Sequence, residues 1–145
     1  MAATKNFRNF AFALLVAGVL TSCAAMRGAL SGQQIVLSGS NEVPPIVTSA
    51  TGTGTANIDT NRTVSATVDV IGMTPTAAHI HEGAPGTNGP VIVPFIRITA
   101  QAFGAPAGAQ LTEAQYASYK AGNLYVNVHS AKHPGGEVRA QIVGR

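Results

Sequence analysis

The sequence predicts an all-β fold, a Greek-key sandwich of two sheets with one short helix, and three observations favour it. Glycine and proline, 16 and 8 of the 145 residues, recur along most of the chain as turn-forming residues. Short stretches rich in valine, isoleucine and threonine lie between them, as in sandwiches and barrels. Val64, Ala66, Val68 and Val70 alternate with polar residues, which predicts a strand with one buried face.

The other strands are expected where β-rich stretches are bounded by turn-forming residues such as Asp59-Thr60-Asn61 and His133-Pro134-Gly135-Gly136. We expect them at residues 34–38, 52–58, 77–81, 91–98, 124–129 and 137–143. Together with the segment at 64–70 they make seven strands, which suits two packed sheets. The stretch 103–110, rich in Gly, Ala and Pro, is predicted to be a loop.

One segment has helical rather than strand character. Leu111, Tyr116 and Tyr119 fall at helical spacing, Thr112 is a good N-cap residue, and Gly122 is suited to end the last turn. The sequence therefore predicts a short helix near residues 112–121.

The leading segment has the organisation of a targeting signal. Lys5 and Arg8 precede an uninterrupted apolar run of 11 residues, Phe10 to Leu20. A membrane-spanning helix needs about 20 apolar residues, so this run has the length of a signal peptide. We expect residues 1–22 to be removed from the mature protein.

The single cysteine follows this run directly. Leu20-Thr21-Ser22-Cys23 resembles the bacterial lipobox, in which the Cys is acylated and becomes the new N-terminus. The alternative is an ordinary secretory signal cleaved elsewhere, with Cys23 incidental. The lipobox interpretation makes Cys23 the lipidation site and residues 23–33 a tether before a domain at 34–145. It implies a lipid anchor in the cell envelope, at the outer membrane or periplasmic face of a Gram-negative cell.

Composition excludes several classes of protein. One Cys allows neither an internal disulfide nor a Cys-based zinc ribbon. Without Lys5 and Arg8, seven basic residues stand against six acidic ones, and no two of the seven are adjacent, so no nucleic-acid partner is expected. No serine lies in a G-x-S-x-G context, which gives a hydrolase no support.

The four histidines occur as two close pairs, His79 with His81 and His129 with His133. Residues i and i+2 of a strand project from the same face, so His79 and His81 present two imidazoles side by side while Ile80 points into the core. This arrangement is suited to binding a metal ion.

The second pair lies where another predicted strand ends. Val126 and Val128 share one face of that strand, so His129 shares the opposite face with Tyr125 and Asn127. If the segments meet in space, His79, His81, His129 and His133 form a site for a transition metal, because imidazoles suit copper or zinc better than calcium or magnesium. The alternative is that the histidines only pack and bond to backbone groups.

Two further features are interpreted structurally. Glu42-Val43-Pro44-Pro45 is expected to bend the chain, since neither proline can donate to a sheet ladder. Arg139 is expected to be an exposed strand residue beside Gln141, although it could instead attract anions to a metal site.

Several separated motifs, in order, resemble the CHRD (chordin-type) domain family. They are LSGSNEVPP at 37–45, TGTG at 51–54, AHIHEGAPGTNGPV at 78–91, LT at 111–112, GNLYVNVHS at 122–130 and PGGEVRAQ at 134–141. The resemblance covers residues 34–143 and implies a secreted or surface-exposed β-domain, present singly in many bacterial proteins.

A weaker similarity links His79-Ile80-His81-Glu82-Gly83 to the HVHEFG strand of copper/zinc superoxide dismutases, in which both histidines bind copper. Val128-His129 is similar to the strand end that carries another copper ligand of that fold. The chain has no counterpart of the bridging histidine between Glu82 and His129, so the similarity does not extend to the zinc subsite. It implies a superoxide dismutase-like or immunoglobulin-like sandwich with copper on His79, His81 and His129, completed by His133 or water.

These features together predict an envelope-anchored CHRD-domain lipoprotein that acts as a non-enzymatic binding module with a histidine-lined copper site, zinc being the alternative metal. Its partners would be the membrane, through the N-terminal lipid, and a protein or glycan. Two alternatives remain: a copper-dependent superoxide dismutase-like enzyme, and a structural or adhesion module without metal.

Overall fold

The computed structural model describes residues 32–145, which form a single nine-stranded antiparallel sheet and one α-helix. The strands are β1 (Gln33–Ser38), β2 (Thr51–Ile58), β3 (Val64–Ile71), β4 (Pro75–Glu82), β5 (Val91–Pro94), β6 (Ile96–Arg97), β7 (Ala102–Gly104), β8 (Leu124–Ser130) and β9 (Val138–Ile142). Their order in the sheet is β5-β4-β8-β9-β1-β2-β3-β7-β6. The all-β prediction is confirmed.

The two edges of this sheet are joined through one residue. β5 and β6 stand at opposite ends of the strand order, yet only Phe95 separates them in the chain. The sheet must therefore curl until its edges approach each other. Val68 on β3 and Ile80 on β4, from the two halves, belong to one hydrophobic core. The sandwich is thus built from the two halves of one curled sheet, which is nearly a barrel.

β3 shows how the sequence specifies the core. Its residues alternate strictly between buried and exposed, because successive side chains of a strand point to opposite faces. Val68 is completely buried, as is Val126 on β8, while Asp69 faces solvent. The alternation seen in the sequence predicted both the strand and its buried face.

Two segments differ from the prediction. Residues 91–98 were expected to form one strand, but they form β5 and β6, which lie on opposite edges because the chain crosses from one to the other at Phe95. β7 falls partly within the predicted loop 103–110. Its three residues pair with β3, with Phe103 opposite Val68, and glycine and alanine neighbours hide so short a strand in the sequence.

The predicted helix is confirmed as α1 (Glu113–Lys120). The Thr112 side chain accepts from the backbone N–H of Gln115, and the Gln115 side chain accepts from the backbone N–H of Thr112, so the two form a capping box. Gly122, directly beyond the C-cap, has a φ of 76°, a backbone conformation that favours glycine.

The predictions for the leading segment, residues 1–22 and the acylated Cys23, lie outside the described residues, as does most of the tether at 23–33. Among residues 32–145 no helix has the length and apolar character needed to span a membrane.

β4, β8 and β9 lie side by side and carry the predicted site. One face of these strands belongs to the core through Ile80, Val126 and Ala140. The opposite face is polar and largely covered: every residue of β8 is buried, and His79 on β4 is half-buried. The loops at 83–90 and 131–137 hydrogen-bond to side chains on this second face.

Candidate metal centre

Strand register brings the two histidine segments together. β4 and β8 are antiparallel neighbours in which His79 lies opposite Asn127, Ala77 opposite His129, and His81 opposite Tyr125. His79 and His129 are therefore diagonal neighbours on the same face of the sheet, within reach of each other. The condition on which the sequence-based metal site depends, that the two segments meet in space, is therefore met for His79, His81 and His129.

Three imidazoles form a compact cluster. His79, His81 and His129 each offer a ring nitrogen, and these three atoms lie within 4.8 Å of one another. Nδ1 of His79 is 3.0 Å from Nε2 of His129. The ring centroid of His79 lies 5.5 Å from the ring centroid of His81 and 4.8 Å from that of His129.

Backbone carbonyls fix two of the rings. Nδ1–H of His81 donates to the carbonyl oxygen of Gly89 at 2.9 Å, and Nδ1–H of His129 donates to that of Pro134 at 2.9 Å. Because a carbonyl can only accept, the proton of each neutral ring sits on Nδ1, which leaves the Nε2 lone pair free to bind a metal. Metal-binding histidines in proteins usually have such an outer partner.

One of these free nitrogens has no partner in the described chain. Nε2 of His81 is buried and accepts no hydrogen bond from any residue of the described range. Nε2 of His129 lies 3.0 Å from Nδ1 of His79. A buried polar atom without a partner is costly unless another group binds it, so Nε2 of His81 is suited to binding a ligand.

The environment keeps these rings neutral. Burial, reinforced by repulsion from His129 and His81, lowers the pKa of His79 to about 4. Burial also lowers the pKa of His81 and of His129. This effect outweighs the hydrogen bonds to Gly89 and Pro134 and the interaction of His81 with the Asn127 side chain, which act in the opposite direction. All three imidazoles are therefore deprotonated at neutral pH, the state that metal binding requires.

The fourth predicted residue, His133, is not part of the cluster. Its backbone N–H donates to Oγ of Ser130, and its carbonyl accepts from Gly136 N, within the turn after β8. The nearby carboxylates are also occupied elsewhere, since Glu82 accepts from Ser118 and Glu137 from Thr48 and Ser130. Within residues 32–145 the ligand set is thus made of imidazoles alone.

Arg139 is not the exposed strand residue expected from the sequence. Its side chain is only 2% exposed, and its Cζ lies 3.4 Å from the centroid of the Tyr125 ring. The guanidinium donates to the carbonyl oxygen of Thr87 at 2.9 Å and to Oδ1 of Asn88 at 3.2 Å. Sequence reasoning missed this because the loop at 83–90 covers a strand face that alternation alone leaves open to solvent.

Glu42 also has more than the bending role expected for its segment. Its side chain is 5% exposed and Oε1 has no hydrogen-bond partner among the described residues. Burial raises the pKa of Glu42 to about 7, although Arg139 and Asn127 act to lower it. Asn127 is itself buried, with Oδ1 unpaired, so a polar layer adjoins the histidines.

The loop residues that hydrogen-bond to the histidines lie within two of the motifs found in the sequence. Gly89 belongs to the motif at 78–91 and Pro134 to the motif at 134–141. A family model described as the CHRD domain matches residues 33–142. The chain belongs to the CHRD domain family. No curated protein and no solved structure gives a significant match to the chain.

The candidate metal centre lies inside the region that the CHRD family model matches. The matched region includes all the strands from β1 to β9, and both histidine segments lie within it. The candidate metal centre is therefore an integral part of the CHRD domain rather than an addition at its ends.

Proposed function

We propose that this protein is an envelope-anchored CHRD-domain lipoprotein that acts as a non-enzymatic binding module and holds a copper ion on His79, His81 and His129. The observation that carries the proposal is the cluster of three buried or half-buried imidazoles whose donor atoms lie within 4.8 Å of one another. The unpaired Nε2 of His81 supports it, because a metal ion would satisfy that atom.

The donor set favours copper over the harder cations. Imidazoles suit copper and zinc, whereas calcium and magnesium require several oxygen ligands, and the cluster found among the described residues contains no carboxylate. Copper supplies one-electron redox chemistry when bound, and zinc supplies none. The chain's own contribution is to hold the rings neutral and to fix the lone pairs of His81 and His129 through Gly89 and Pro134.

Copper titration of the full-length chain in mild detergent tests the site. We expect one equivalent to bind with micromolar or tighter affinity, and His79→Ala, His81→Ala and His129→Ala each to weaken binding at least tenfold. His133→Ala is the matched control and should leave the affinity within about twofold, since that residue lies outside the cluster. Binding that survives replacement of all three residues would contradict the proposal.

An enzymatic alternative is favoured by one observation. Three protein ligands leave a fourth position on a tetrahedral ion for an external molecule, as catalysis at a metal requires. Rapid superoxide turnover by the copper-loaded protein, lost in His79→Ala, would support a superoxide dismutase-like enzyme in place of a binding module. If the protein binds neither copper nor zinc, the remaining candidate function is that of a structural or adhesion module.

The anchor is tested separately. The basic-apolar-lipobox order of residues 1–23 supports acylation of Cys23 with membrane attachment at the cell envelope. Because both acylation and cleavage need the lipobox cysteine, Cys23→Ser should abolish incorporation of labelled palmitate and should leave the signal segment uncleaved, so that the variant migrates as the larger precursor. Unchanged labelling and processing would contradict a lipid anchor.

A further inference from the structure

Tyr125 contacts the candidate metal centre in two ways. Its ring lies almost parallel to that of His81, with an interplanar angle of 8° and a centroid separation of 4.8 Å. Its hydroxyl oxygen accepts a hydrogen bond from the backbone N–H of Gly89 at 3.2 Å. Gly89 is the residue whose carbonyl receives Nδ1–H of His81, so ring and hydroxyl both act on the same histidine.

The opposite face of Tyr125 is also covered. β9 pairs with β8 on the side away from β4, so Arg139 approaches the Tyr125 ring from the side opposite His81, with its Cζ 3.4 Å from the ring centroid. Hydrogen bonds to Thr87 and Asn88 hold the guanidinium in place. His81, Tyr125 and Arg139 therefore form a three-layer stack in which Tyr125, itself 2% exposed, is the central layer. A side chain so enclosed has little freedom to rotate, and neither does the imidazole packed on it.

The geometry points to Tyr125 as a positioning residue of the metal centre. Its stacked ring sets the plane of His81, and its hydrogen bond to the Gly89 backbone keeps the acceptor for Nδ1–H in place, so that Nε2 is the nitrogen presented to the metal. This inference rests on the proposed copper site for its effect on affinity. The orientation and tautomer of His81 are properties of the metal-free chain as well.

Three variants of the full-length chain separate the contribution of the Tyr125 ring from that of its hydroxyl group. Tyr125→Leu removes the stacked ring and the hydroxyl, whereas Tyr125→Phe removes only the hydroxyl. Tyr119→Leu is the matched control, because Tyr119 is also buried, 5% exposed, but packs in the hydrophobic core. A purely structural role for Tyr125 predicts that the two Leu variants behave alike once each is shown to be folded by circular dichroism.

The deciding readout is the tautomer of His81 in the metal-free protein, obtained from nitrogen-15 NMR of the imidazole rings. We expect Nδ1–H alone in the wild type, in Tyr119→Leu and, through the retained stack, predominantly in Tyr125→Phe, but a mixture of both tautomers in Tyr125→Leu. A pure Nδ1–H tautomer in Tyr125→Leu would overturn the inference, whether or not the wild type binds copper.

The effect on the metal is measured with Cu(II). Loss of an outer partner of a metal ligand costs about 10- to 100-fold in affinity, and we expect this loss in Tyr125→Leu together with a changed Cu(II) electron paramagnetic resonance spectrum. Tyr125→Phe should recover most of the affinity. An unchanged spectrum and affinity in Tyr125→Leu would overturn the inference, while failure of the wild type to bind copper would contradict the proposed function and leave the tautomer measurement decisive for Tyr125.

Discussion

His79 and His129 are 50 positions apart in the chain, yet Nδ1 of His79 lies 3.0 Å from Nε2 of His129. The contact follows from the pairing of β4 with β8, which places the two residues diagonally on one face. Because Nδ1 of His129 donates to Pro134, its Nε2 is an acceptor, and the metal-free pair is joined by a proton donated from His79. A metal bound through Nδ1 of His79 would require that proton to leave this nitrogen.

The low pKa values of the histidines predict how copper binding depends on pH. Neutral imidazoles need not lose a net proton to bind a metal, since the proton on Nδ1 of His79 can move to Nε2. Calorimetry at about pH 7.5 in buffers of different ionisation enthalpy should therefore show almost no proton release. Release should increase as the pH falls towards 4, the pKa of His79. Release of about three protons at neutral pH would contradict the account.

The same shifts predict a loss of stability in acid. The folded-state pKa of His79 is about 4 against a usual value of 6.5, so the unfolded chain binds more protons than the folded chain between these values. The free energy of unfolding of the metal-free protein should fall as the pH decreases through this window. His79→Gln should weaken this dependence in denaturant unfolding, and an equally steep dependence in the variant would show that the acid loss arises elsewhere.

The raised pKa of Glu42 predicts that stability depends on pH in the opposite direction. Burial raises its folded-state pKa from 4.5 to about 7. As the pH rises through this window, Glu42 ionises in the unfolded chain before it ionises in the folded chain, so the free energy of unfolding falls. Glu42→Gln stays neutral, so its stability relative to the wild type should increase between about pH 4.5 and 7. A constant difference in denaturant unfolding across this range would contradict the raised pKa.

Two adjacent glycines beside the site, Gly135 and Gly136, allow a test of close packing because only one of them lacks room for a side chain. Gly136 has a φ of 132°, and a Cβ there would lie 2.5 Å from Oε1 of Glu42 and 2.6 Å from Nδ2 of Asn127, whereas a Cβ on Gly135 meets nothing within 4 Å. Gly136→Ala should lower the free energy of unfolding by about 1–3 kcal/mol. Gly135→Ala should change it by less than about 0.5 kcal/mol in the same denaturant series. Equal effects would contradict the close packing at Gly136.

The core should depend on its aliphatic side chains. Val68 is fully buried, and Val68→Ala should reduce the free energy of unfolding by about 1–3 kcal/mol, because it removes apolar contacts and leaves a cavity. Val36, 68% exposed on β1, is the control, and Val36→Ala should change stability by less than about 0.5 kcal/mol. A comparable loss in both variants would mean that Val68 is not a core residue.

The elements with strong local signals could be predicted from the sequence. The alternation in β3 and the Thr112 and Gly122 caps of α1 each arise from residues close together in the chain. The i, i+2 rule likewise placed His79 and His81 on one strand face. Short pairings such as β7 against β3 have no local signal, because they depend on where distant strands end.

The outer partners of the histidines could not be predicted in the same way. Periodicity assigns Arg139 to a face away from the core but cannot show that the loop at 83–90 folds over that face and buries it. The contacts of Gly89 and Pro134 with the imidazoles depend on loop conformation, and those of Tyr125 with His81 on the register of β4 and β8. His133 is close to His129 in sequence, yet the turn after β8 leaves it out of the cluster.

Crystallography of the copper-loaded protein, with anomalous diffraction recorded at the copper absorption edge, locates the bound metal. We expect one strong anomalous peak among the three imidazoles, at about 2 Å from Nδ1 of His79 and from Nε2 of His81 and His129. A peak at His133 or at a surface carboxylate, or the absence of any ordered copper from crystals grown with excess metal, would contradict the proposed copper site.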